Sequence, residues 1–127
     1  DVSNPIAPDG NGGFKKSIGE NESAANMLSD FIPKNAKLFK AFGTLGAGSL
    51  SGEAFSQPEQ KVLFYASDST NSNIKVEELI THSGFAPLHI GGLNNAIRIE
   101  VFGDLHEFGK LGKTVTLEEV KNTITHV

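Results

Sequence analysis

Apolar residues along this chain follow two rhythms. From Ser23 onward, Ala24, Met27, Leu28, Phe31 and Ile32 recur at the spacing of one helix face, and Pro33 with Asn35 ends the pattern. Residues 36–42 and 62–66 are instead short, nearly continuous apolar runs bounded by turn formers, as expected of strands buried on both faces; the pattern predicts that they pair in parallel. Between Ser72 and Ser83, the residues Val76, Leu79 and Ile80 form a helical stripe, with Gly84 where a C-terminal cap belongs. Residues 86–90 then predict another strand, and Leu93, Ala96, Ile97 and Val101 predict a helix over 93–102. Thr116 and Glu119 make a capping box ahead of Leu117, Val120 and Ile124, which predicts a last helix. At the other end, residues 1–5 look like the tail of a strand, and the Gly-, Pro- and Asn-rich stretch 5–17 reads as a loop. The order helix, strand, strand, helix, strand places the chain in the α/β class, with a parallel or mixed sheet.

Composition narrows the function classes. The 127 residues allow one domain and a single core. Fifteen acidic against eleven basic side chains, a net charge of -4 and no basic run leave no electrostatic footprint for nucleic acid, so no nucleic-acid partner is expected. Without cysteine there is no disulfide scaffold, thiolate zinc site or cysteine nucleophile. No apolar run approaches the roughly 18 residues of a membrane helix, and no leader pattern opens the chain, so a cytoplasmic protein with no membrane partner is expected. The opening at Asp1 without Met predicts that the chain is cut from a longer parent.

Several motifs mimic known chemistry. Gly43-Thr44-Leu45-Gly46-Ala47-Gly48 follows a strand, but its spacing is G-x-x-G-x-G and not the G-x-G-x-x-G that brings backbone against a pyrophosphate, so it reads as a turn. Gly109-Lys110-Leu111-Gly112-Lys113-Thr114 ends like a P-loop, yet Glu107 stands where that loop needs glycine, and its carboxylate would repel phosphates. His82, His89, His106 and His126 lack metal-ligand spacing, so no metal is expected. His89 either faces a ligand at a strand end or is a packed imidazole, and Asp68 either lines a ligand edge or serves a turn. Asn4, residues 42–44 and residues 67–68 are expected at strand ends along one edge of the sheet.

Four ordered stretches carry a resemblance. Asp1-Val2-Ser3-Asn4-Pro5, the run Ala36-Lys37-Leu38-Phe39-Lys40-Ala41-Phe42-Gly43-Thr44-Leu45-Gly46-Ala47, Val62-Leu63-Phe64-Tyr65-Ala66-Ser67-Asp68, and Gly84-Phe85-Ala86-Pro87-Leu88-His89-Ile90-Gly91-Gly92-Leu93 resemble the NADP-dependent oxidoreductases related to deazaflavin-dependent NADP reductases. The resemblance runs from Asp1 to about Phe102 and implies the C-terminal half of a Rossmann-like parallel or mixed sheet flanked by helices. It implies that the glycine-rich pyrophosphate loop lies in a first half absent from these residues. It also implies NADP as the parent's cofactor, with Asn4, Pro5, Ala41, Phe42, Gly43 and Thr44 at the nicotinamide end, and a small-molecule acceptor or deazaflavin-like coenzyme as partner. Hydride transfer needs positioning more than acid or base groups, so a charged catalytic constellation is not required. Gly43 departs from the family, which usually has Asn there. The alternative reading is a non-catalytic binding or dimerisation module, since residues 93–102 offer apolar side chains to a second subunit; a homo-oligomer is expected.

Overall fold

The computed structural model describes residues 1–123. The chain opens with an antiparallel hairpin, β1 (Ile6–Pro8) and β2 (Phe14–Lys16), in the register Ile6↔Lys16 and Pro8↔Phe14. The stretch read from sequence as loop is thus a hairpin, and its glycines form the connection. There Asp9 Oδ1 accepts the amides of Asn11 at 2.7 Å and Gly13 at 3.0 Å. This side-chain turn brings together strands too short to show a period of two.

Helix α1 (Ala24–Ser29) starts where the sequence predicts, because Ser23 is extended and its hydroxyl accepts the Asn26 amide. It ends before Phe31, which is left 84% exposed. Strand β3 (Phe39–Lys40) follows, then α2 (Ala47–Gly52), β4 (Val62–Ser67), a 3₁₀ turn, α3 (Asn73–His82) and β5 (Ala86–His89). A 3₁₀ helix at Leu93–Arg98 and α4 (Leu117–Thr123) complete the order. The capping box holds α4 as expected: Thr116 Oγ1 accepts the Glu119 amide and Glu119 Oε1 accepts that of Thr116. Ile124 and His126 lie outside the described residues.

The three strands order as β3-β4-β5, with β4 and β5 parallel (Val62↔Ala86 to Tyr65↔His89). The expectation that residues 36–42 and 62–66 run in parallel is corrected: β3 and β4 are antiparallel, with Phe39 opposite Ser67. A parallel pair needs a crossover element lying on the sheet, and the helix between them, α2, buries none of its residues. At the free edge of β3, the Asp1 amino group donates to Phe39 O and the Ala41 amide donates to Asp1 O. One residue bonding on either side of Lys40 is the spacing of a parallel bridge, but residues 1–5, expected from the sequence to be the tail of a strand, belong to no strand of the fold.

β4 is buried along its whole length and divides the core. Val62, Phe64 and Ala66 face Ala25, Ile90, Leu93, Ala96, Ile99, Leu105, Val115 and Val120. Leu63 and Tyr65 face Ala41, Leu45, Ile80 and Phe85. Each fully buried large side chain contributes about 1.5–3 kcal/mol, so this central strand, covered on both faces, anchors everything around it. The helix expected over 93–102 stops at Arg98 as a 3₁₀ element. The Val101 amide donates to Asn4 Oδ1 and so is not available to continue a helical ladder.

α3 ends in a Schellman motif: Phe85 N donates to Ile80 O and Gly84 N to Thr81 O, with Gly84 at φ +93°. A Cβ at Gly84 would meet the Phe55 backbone nitrogen at 2.6 Å, whereas one at Gly12, with φ +86°, would meet nothing. Gly12→Ala should therefore cost only the left-handed backbone term, about 1–2 kcal/mol. Gly84→Ala should cost about 1–3 kcal/mol more from overpacking. Urea unfolding of both variants checks this, and equal losses would disprove the steric contribution.

Candidate functional site

The expected site residues converge at the end of β3. Here the chain leaves the sheet through Ala41, turns at Phe42 with φ +67°, and passes Gly43 and Thr44 into α2. A side chain held at positive φ stores strain that the surroundings must overcome. Those surroundings are two segments distant in sequence. Asn4 Nδ2 donates to Gly43 O at 2.9 Å, while Asn4 Oδ1 accepts the Val101 amide at 2.8 Å. The carboxamide thereby ties three chain segments together. A Cβ on Gly43 would lie 3.3 Å from Val2 O and 3.4 Å from Ser3 O, so glycine lets residues 2–4 lie close against the turn. Pro5 is buried beside it, with its carbonyl accepting the Ser17 amide. Ala41 is buried and Phe42 partly buried in the cluster around Leu63 and Tyr65. Thr44 is 1% exposed, and its hydroxyl has no partner among the described residues.

Beneath this turn lies a buried charge network that sequence reading did not find. Lys40 is fully buried; its ammonium donates to Asp1 Oδ2 at 3.1 Å and to Ser3 O at 2.5 Å, and pairs with Glu100 Oε2 at 3.5 Å. Glu100, also fully buried, accepts Ser23 Oγ at 2.8 Å and the amides of Ala24 and Ala25 at 2.7 and 3.0 Å. It thus serves the first turn of α1 as well as the lysine. Burial holds the Lys40 ammonium below the usual lysine range, opposed by the charge and hydrogen bond of Glu100. The amino group of Asp1 is lowered as well, first by burial and then by Lys40. The available signal was a lysine inside the apolar run 36–42 and a glutamate inside the stripe 93–102.

A second clamp comes from residues 105–109. The Glu107 amide donates to Thr44 O at 2.9 Å, and the Glu107 carboxylate accepts Gly46 N at 2.7 Å and Ser49 Oγ at 2.5 Å. This carboxylate occupies the turn of the Gly43–Gly48 motif, so the amide a phosphate would use is already satisfied. The motif is a turn, as its spacing predicts, and it leads into a short helix that the sequence did not reveal. The second mimic, at 109–114, is also a turn, with Gly112 at φ +72° and Lys113 paired to Glu119 at 2.6 Å.

The expectation that residues 67–68 share an edge with Asn4 and residues 42–44 is corrected. Because β3 and β4 are antiparallel, Ser67 lies opposite Phe39, at the start of β3. Asp68 there accepts the Leu93 amide at 3.0 Å, and a cavity of about 410 Å³ opens between Lys37, Leu38, Asp68, Asn71 and Leu93. His89 stacks on Tyr65 with ring centroids 4.9 Å apart and sets Nε2 3.2 Å from Ser67 O, a packed imidazole. The Tyr65 hydroxyl is raised by burial, then by its short hydrogen bond to Glu77. On the Asn4 side, a groove of about 640 Å³ runs between Lys15, Lys16, Ile97, Val101 and Phe102. Among the described residues no group of three metal-capable side chains occurs, and no helix is long and apolar enough to cross a membrane.

No family model matches the sequence, and no curated protein matches it. Among solved structures, a hypothetical protein from Sinorhizobium meliloti is 29% identical, with a TM-score of 0.73 over 91% of this chain and 53% of its own. A candidate F420-dependent NADP reductase from Arthrobacter sp. FB24 is 16% identical, with a TM-score of 0.64 over 76% of this chain and 44% of its own. The chain therefore spans about half the length of these proteins. Its mixed sheet flanked by helices is Rossmann-like, a fold it shares with that candidate NADP reductase.

Proposed function

We propose that this chain is the nicotinamide-side and acceptor-side half of an NADP-dependent oxidoreductase, one that transfers hydride between nicotinamide and a small acceptor or deazaflavin-like coenzyme. The observation that carries the reading is the convergence of Asn4, Pro5 and residues 41–44 on one strained strand-end turn in a sheet shaped like that of an NADP reductase. Strain at Phe42 is the kind stored where a ligand must be positioned. The buried Thr44 hydroxyl, without a partner among the described residues, supplies a hydrogen-bonding group at the same turn. When bound, NADPH supplies the hydride; the residues named would orient it and keep water away. The phosphates would be held by residues outside these 127, since Glu107 already fills the glycine-rich turn.

Calorimetric titration of NADPH and NADH into this chain and into a longer natural reading frame containing it tests the proposal. The expected result is binding at least about tenfold tighter in the longer protein, a difference of about 1.4 kcal/mol, with dye reduction only there. No binding in either protein would sink it. That outcome would favour a dimerisation module, for which the exposed Met27, Leu28 and Phe31, grouped around a groove with Ile18 and Ala24, provide an apolar face.

A further inference from the structure

His106 is 2% exposed and is used by none of the chemistry above. Its Nδ1 accepts the Phe108 amide at 3.0 Å, so Nδ1 carries no proton and the neutral ring bears its hydrogen on Nε2. Nε2 has no partner among the described residues, and the Gly43 backbone near the ring favours the protonated imidazole. The next residue, Glu107, holds Thr44 O, Gly46 N and Ser49 Oγ. Phe108 tilts against the His106 ring at 5.6 Å and lies over Gly46, where a Cβ would be 2.6 Å from Cζ. Residues 105–109 therefore form a strap over the Gly43–Gly46 turn, bonded to the buried Thr44 through the Glu107 amide.

We propose that this strap is a gate over the turn, latched by neutral His106 and released when the imidazole takes a proton on Nδ1. A protonated ring presents a donor to the Phe108 amide, which is itself a donor, so the bond that folds residues 106–108 is lost and a charge is left in the buried seat of the ring, which drives the ring and the strap carrying it off the turn. The charged groups facing the ring are Lys40 on β3, which opposes protonation, and Glu107, which favours it; burial is the largest effect and lowers the imidazole below the usual histidine value of about 6.5. The unlatched strap binds a proton at His106 that the latched one does not. The latch is thus complete above the ordinary histidine value and is lost as pH falls below it. Opening would uncover Thr44, the expected cofactor-side residue, but the gate rests on this geometry and not on the cofactor reading.

Hydrogen exchange by NMR, with imidazole nitrogen shifts recorded in the same samples, tests the gate between pH 7.5 and 5. The expected result is that Glu107 and Phe108 lose protection together, at least about tenfold, in step with His106 protonation, while the β4 amides of Phe64 and Tyr65 keep theirs. In His106→Asn, a side-chain oxygen can still accept near the Nδ1 position but cannot titrate, so protection should become independent of pH. Four results would each overturn the gate: no protonation of His106 down to pH 5, His106 protonation with both amides still protected, parallel loss of protection in β4, or an unchanged pH dependence in His106→Asn.

Discussion

Replacing Lys40 by Met is expected to destabilise the protein by about 3–5 kcal/mol, a large part of the about 5–15 kcal/mol typical of a whole domain. The reason is not the loss of attraction. Glu100 is fully buried and the Asp1 carboxylate nearly so, and without the ammonium each keeps its charge in a place from which water is excluded. Glu100 would retain three donors, Ser23 Oγ and the amides of Ala24 and Ala25, which is why the loss should stop short of complete unfolding. Glu100→Gln in the Lys40→Met background should recover part of the loss, because the amide oxygen still accepts from α1 while the unpaired charge is removed. Urea unfolding of the two single variants and the double variant measures this as a coupling energy of about 0.5–3 kcal/mol. Additive losses, or a Lys40→Met cost below about 1 kcal/mol, would show that the lysine finds water in solution and that the network is incidental.

That network also shows where sequence reasoning ran out. β4, α3 with its Gly84 cap, β5 and the α4 capping box were legible because each rests on local information: an apolar run, a helical stripe, a residue that tolerates positive φ, or a side chain reaching three residues along. The direction of β3 was not legible, since two residues of strand carry no sign of orientation and only the unburied α2 betrays the missing crossover. One reversal of direction moved Ser67 and Asp68 to the opposite edge, so one of the three strand ends of the expected ligand edge fell away while Asn4 and residues 41–44 stayed together. The buried partners Lys40 and Glu100 are 60 residues apart, and Glu107 reaches back to Gly46 across 61. In the sequence each is one charge among apolar or turn residues, and nothing local says that it is matched. The hairpin of β1 and β2 was missed because three-residue strands are shorter than the period they would have to display.

Asn4→Ala should cost about 2–4 kcal/mol in the protein without any ligand, since it strips a donor from the Gly43 carbonyl and an acceptor from the Val101 amide, each worth about 1–3 kcal/mol when left unpaired. Asn4→Asp should fall between Ala and the parent, because a carboxylate oxygen can still accept from Val101 while the donor to Gly43 is lost. The order Asn above Asp above Ala, read from thermal or urea unfolding, identifies the residue as the tether of the turn. This bears directly on the proposed function. Each end of the amide is used once by backbone, so in the proposed reading it holds Gly43 and the strained Phe42 where a ligand would meet them and keeps its second Nδ2 hydrogen, beside the Thr44 hydroxyl, as hydrogen-bonding capacity to spare. If Asn4→Ala costs less than about 0.5 kcal/mol in the ligand-free protein, the range of an ordinary surface substitution, the tether is not formed in solution and the carboxamide is free to bind a ligand itself.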